Sequence, residues 1–183
     1  MTSPWAFRIA MSLALLGSTL SIGSASASAQ TNDSEKISKL FAEAKSYAAQ
    51  ARDDAATLNA YTLSKVSWQS HAGRLNTIKV HVNNLGKVLS QLHQARPEGS
   101  AWQQHAIDDI TPFLQGMADH LTAAINHLNE NPSQVHMKAY QDYARSNYLL
   151  TSKTYDVIRD LVDYDEAKST ADSLEQKLSL PQK

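Results

Sequence analysis

Between residues 75 and 92 the apolar side chains Leu75, Ile78, Val82, Leu85, Leu89 and Leu92 recur at spacings of three and four. That spacing follows the turn of an α-helix and puts all six on one face; a strand would need every second residue. Projected backwards, the same line meets His71, Trp68 and Tyr61. A helix with one apolar face needs other apolar faces to cover it.

The chain supplies three more. The first reads through Leu40, Phe41, Ala44, Tyr47, Ala48, Ala51, Ala55 and Leu58, with Asn32-Asp33-Ser34-Glu35 as a polar start able to cap it. Its alanine-rich centre needs either a close neighbour or large partner side chains to fill the space. The third carries Ile107, Ile110, Phe113, Leu114, Met117, Leu121, Ala124, Ile125 and Leu128, with Pro112 inside as an expected kink. The fourth has an inner line of Ala139, Tyr143, Ser146, Leu150, Val157, Leu161 and Tyr164. Two breaks separate these segments clearly. Arg96-Pro97-Glu98-Gly99-Ser100 ends the second and offers Ser100 as a cap; Asn131-Pro132 is expected to open the fourth, with Asn131 as N-cap. Thr57–Ser67 has neither Gly nor Pro but is rich in Thr, Ser and Asn, so a turn is expected there; the alternative is one fused helix. Gly73 and Gly86 lower the helix propensity of the second segment and are expected to mark close helix contact. The prediction is an all-α chain, an antiparallel bundle of four helices.

The two ends of the 183-residue chain read differently from its middle. Arg8, the apolar run Ile9–Leu16 and the small residues Ala27-Ser28-Ala29 have the layout of a signal peptide cleaved after Ala29. The expected organisation is a signal peptide over 1–29, a bundle over 30–171 and a polar, frayed tail over 172–183. A periplasmic or extracellular location follows; the apolar run is too short to read as a membrane span, an uncleaved anchor being the alternative, and no transmembrane span is expected in the mature chain.

The chain has no cysteine, which excludes disulfides, thiolate zinc sites and covalent haem attachment. Seventeen Lys and Arg against eighteen Asp and Glu give no global reason to expect nucleic acid as a partner. The charge is nevertheless uneven. Ala55–Pro97 contains Lys65, Arg74, Lys79, Lys87 and Arg96 and no acid, while Asp156, Asp160, Asp163, Asp165 and Glu166 oppose only Arg159. The expected outcome is pairing of helix 2 with helix 4 or plain solvation, the alternative a basic face for an anionic surface.

Seven histidines are the chemistry-bearing feature. None sits four residues from another, so the His-Glu-x-x-His metal pattern is missing, and none has a carboxylate three residues before it, as di-iron bundles require. His120 and His127 share a helical face but stand about 10 Å apart along the axis. His71 lies on the apolar line of helix 2 and Met117 on that of helix 3. The candidate binding pocket is therefore Trp68, His71, Leu75 and Met117, with His71 as the hydrogen-bonding or ligating group and Trp68 as an apolar wall. Phe113 and Tyr143 are further candidates for its lining. No catalytic residue is assigned: Gly-x-Ser-x-Gly is absent, and Asp53-Asp54 and Asp108-Asp109 are adjacent pairs that do not face each other. No cofactor is expected, with haem or a transition metal as the alternative; His71, His120 and His127 are the candidate ligands. Tyr140, Tyr143, Tyr148, Tyr155 and Tyr164 make helix 4 a candidate surface for homo-oligomers.

The segments Ser67-Trp68-Gln69-Ser70-His71-Ala72-Gly73-Arg74-Leu75-Asn76, Lys79-Val80-His81-Val82-Asn83 and Gly86-Lys87 resemble exported helical proteins of soil bacteria whose function is unassigned. So do Ser100-Ala101-Trp102-Gln103-Gln104-His105-Ala106-Ile107, His127-Leu128-Asn129 and Tyr140-Gln141-Asp142-Tyr143. The resemblance spans most of the mature chain and implies an exported bundle that acts by binding, on an unknown protein or envelope component, or as a structural part. It carries no activity or cofactor onto these positions.

Overall fold

Four helices account for nearly all of the chain between residues 27 and 179, the part described by the computed structural model, with side chains from Glu35 onward. They are α1 (Ala27–Tyr61), α2 (Trp68–Ala95), α3 (Ala101–Glu130) and α4 (Lys138–Ser179). Short 3-10 turns occupy Arg96–Glu98 and Pro132–Gln134. Except for its last three residues, the expected signal segment lies outside the described residues. The expected all-α, four-helix bundle is what forms. Each helix packs on the next in sequence and α4 closes back on α1, so α2 and α4 lie diagonally opposite.

The 3-and-4 lines become the core. Phe41, Ala44, Ala48, Ala51, Ala55 and Leu58 of α1 share one cluster with Leu75, Ile78 and Leu85 of α2, Ile107, Ile110 and Met117 of α3, and Ile158 of α4. Large aliphatic side chains thus fill the space beside the alanine stripe, each worth about 1.5–3 kcal/mol when fully buried.

Several boundaries and faces differ from expectation. Thr62, Leu63 and Ser64 turn back by hydrogen bonds to the carbonyls of Asn59, Ala60 and Tyr61, so α1 and α2 are separate and Tyr61 belongs to α1. α1 already includes Asn32–Glu35, which therefore do not cap it. Asn131 closes α3, its backbone N–H donating to the His127 carbonyl at 2.9 Å. Pro132 opens the 3-10 turn, and α4 starts only at Lys138. The buried face of α4 is Tyr140, Ala144, Asn147, Thr151, Thr154, Ile158 and Val162, largely one residue away from the expected line. Its polar members bury without loss because Thr151 and Thr154 donate to the Asn147 and Leu150 carbonyls, and Asn147 Nδ2 donates to Tyr143 O at 2.9 Å. In α2, Val88 rather than Leu89 is fully buried. Gly73 and Gly86 face open space: a Cβ on either would touch nothing within 4 Å. The glycine under constraint is Gly99, where a Cβ would sit 2.7 Å from Ile37 Cδ1.

The diagonal placement also decides the charges. α2 and α4 do not pair with each other. Arg74 of α2 donates to Asp54 of α1, Arg96 binds Asp108 of α3 at 2.6 Å, and Asp163 of α4 meets Lys45 of α1 at 3.0 Å.

Candidate functional site

The α1–α2 and α3–α4 connections lie at the same end of the bundle, where Gln141 Nε2 donates to the Thr62 carbonyl at 3.3 Å and to the His136 carbonyl at 3.2 Å. Beneath them sits a cluster of rings from all four helices. His71, in the first turn of α2, is 0% exposed. Its ring is edge-on to Tyr61 of α1 at 5.6 Å and to Tyr140 of α4 at 5.2 Å between centroids. Tyr140 in turn stacks on His127 of α3 at 6.1 Å, and His127 also meets Tyr143 at 5.1 Å. Helix ends supply these rings because antiparallel packing brings the start of α2, the end of α3 and the start of α4 to one level.

The polar atoms of this cluster are largely unspent. Both ring nitrogens of His71, Nε2 of His127 and the Tyr140 hydroxyl are buried without a hydrogen-bond partner among the described residues. Such groups lose hydration and gain nothing in return, at a cost of about 1–3 kcal/mol each. Burial holds the His71 imidazole below its ordinary value, and the charge of His136 adds to the same effect. Burial also pushes the Tyr140 phenol well above its ordinary value. Both groups are therefore neutral at pH 7.

Of the four residues expected to form a pocket, the structure gathers two. His71 is the centre of the cluster. Leu75, one turn on, is buried and lines a groove of about 170 Å³ with Ala72, Lys79, Ile125 and Leu128. Trp68 is 45% exposed, and the rings packed on His71 are those of Tyr61 and Tyr140 instead. Met117 is buried core, eight residues before Ile125 and hence about 12 Å further along the bundle. It is not opposite His71. Phe113 lies further still from that level, beneath the Lys153 ammonium at 5.3 Å.

The candidate ligands do not assemble either. His120 is exposed, and among the described residues no group of three or more His, Cys, Asp or Glu could hold a metal ion. The Tyr61 and Tyr140 rings pack on the His71 imidazole, and Met117 lies at another level of the bundle. The members of the cluster that residue spacing does not reveal are Tyr140, which packs on His71, and His127, which packs on Tyr140. Their positions at the start of helix 4 and the end of helix 3 are the one signal in the sequence that could have found them.

Beside the cluster runs a second polar set. Asp54 of α1 accepts from Arg74 and lies 3.2 Å from His81 Nε2, while the Arg74 guanidinium stands 6.0 Å from the Tyr61 ring. This is a paired carboxylate between two helices, with no nucleophile beside it. The helix 4 tyrosines are mostly drawn inward; Tyr140 is buried, Tyr143, Tyr148 and Tyr155 are half-buried, and Tyr164 is exposed. Compared with protein-family models, curated proteins and solved structures, the chain matches none.

Proposed function

We propose that this chain is an exported, non-enzymatic binding protein that engages its partner, a protein or envelope component, through the loop end of the bundle. The N-terminal layout and the resemblance to exported helical proteins support the location, periplasmic or extracellular. No helix among the described residues is long and apolar enough to cross a membrane.

One observation carries the binding role: four of the seven buried side-chain atoms that lack a hydrogen-bond partner among the described residues lie at this end, on His71, His127 and Tyr140, beneath exposed apolar side chains; the other three, on Asp54, His81 and Ser152, lie further along the bundle. Leu63 is 82% and Met137 59% exposed, on the two connections that flank Trp68. Exposed apolar side chains that form one contiguous patch mark contact surfaces, whereas scattered ones do not. The neutral His71 and Tyr140 can each donate or accept a hydrogen bond without a charge being buried.

A second reading keeps haem or a single transition ion, favoured by the unpaired nitrogens of His71 and His127. It requires the Tyr61 and Tyr140 rings to move aside. Native purification followed by absorption spectroscopy, intact mass and elemental analysis separates the two readings. A colourless, metal-free protein cut after Ala29 is the expected result. A Soret band or stoichiometric metal that disappears in His71→Phe would overturn the first reading in favour of the second.

A further inference from the structure

The last third of α4 has a face with nothing on it. Residues 166–179 are exposed throughout, about 20 Å of helix running past the start of α3. An unsupported helix of this length is marginal in water. Its internal support is slight: Lys168 pairs with Asp172 at 2.7 Å, and Thr170 donates to the Glu166 carbonyl. Yet Tyr164, Ala171 and Leu178 recur at intervals of seven on one face, flanked by Ala167 and Leu174 on one side and by Lys168 and Glu175 on the other. Leu178 is 85% exposed and Leu174 53%.

We propose that this face pairs with the same face of a second copy, antiparallel, about a twofold axis at Ala171. The residue pattern fits that operation. Reversal about Ala171 sets Tyr164 opposite Leu178 of the second copy, and Leu174 opposite its Ala167, so each large side chain meets a smaller or complementary one. On the other flank Lys168 comes level with Glu175 of the second copy, and Glu175 with its Lys168, giving two symmetric ion pairs. A parallel pair has no such fit: it sets Lys168 beside Ala167 and Glu175 beside Leu174. Charge complementarity therefore selects the second copy as occupant and fixes its direction. The tyrosine-rich bundle surface of α4 is not required, apart from Tyr164, which already rests edge-on against Trp102 at 5.0 Å. This pairing is independent of the binding role at the loop end.

Sedimentation velocity of the purified protein from micromolar to millimolar concentration tests it. A reversible dimer is expected, and Leu174→Asp with Leu178→Asp should leave a monomer at every concentration with unchanged helix content. Lys168→Glu should weaken the dimer roughly tenfold, and adding Glu175→Lys should restore it. Because the chain has no cysteine, direction can be read by cross-linking. Ala171→Cys should oxidise to a covalent dimer and Leu178→Cys alone should not. A parent that stays monomeric, a dimer indifferent to both aspartates, or cross-linking through Leu178→Cys alone would each overturn the proposal.

Discussion

The two ends of the bundle differ in how fully their buried polar groups are bonded. At the α2–α3 end they are spent. Ser100 and Gln103 form a capping box, with the Ser100 backbone N–H donating to Gln103 Oε1 at 3.2 Å. Gln104 Nε2 donates to the Gly99 carbonyl, and Arg96 grips Asp108 through two nitrogens. Phe41, Trp102 and Tyr164 close the same end with stacked and edge-on rings. At the loop end, His71 and Tyr140 are buried, as is Nε2 of the half-buried His127, with hydrogen-bonding capacity left over among the described residues. The first arrangement is what stability alone would select. The second costs stability, a cost that the proposed binding role would account for.

Substitutions can break this contrast. Phe41→Ala, in the closed end, should cost about 3–5 kcal/mol in urea unfolding, whereas Trp68→Ala, at the open end, should cost under about 1 kcal/mol. Equal losses would mean that the two ends are packed alike. Acid should act through the open end. The folded chain holds His71 below the ordinary imidazole value of 6.5, so just below that pH the unfolded chain takes a proton that the folded one refuses. Stability then falls with pH by about 1.4 kcal/mol per unit, until the folded imidazole is protonated as well. The rings packed on His71 are those of Tyr61 and Tyr140, and the charge of His136 acts in the same direction as burial. Subtracting the curve of His71→Phe from that of the parent should isolate this slope; identical curves would remove His71 from the acid response. The smallest effect lies away from both ends. Gly73→Ala, on the open face of α2, should stabilise by about 0.5–1 kcal/mol, and a loss there would mean that the face is not open.

Much of this architecture is legible in the residue spacing, and the failures have physical causes. The line from Leu75 to Leu85 predicts α2 correctly, but Val88 and Leu89 are both apolar neighbours, and period alone cannot choose between them. In α4 the polar Asn147, Thr151 and Thr154 look like surface residues. They bury because their side chains bond to backbone carbonyls of the same helix, which an apolar pattern does not register. Asn131-Pro132 suits the start of a 3-10 turn as well as that of an α-helix, so the sequence points to Pro132 while α4 starts at Lys138. His71 is found because its burial follows from one helix. Its partners depend on how four helices align, which the connections and their register decide.

Equilibrium unfolding of Tyr140→Phe beside Gln103→Ala tests most directly whether the loop end is under-bonded and the opposite end is not. Removing an unpaired buried hydroxyl should leave stability unchanged or raise it by about 1 kcal/mol, whereas removing the bonded Gln103 amide should lower it by about 1–3 kcal/mol. If Tyr140→Phe loses as much as Gln103→Ala, the hydroxyl is bonded in the folded protein and the two ends do not differ in this way.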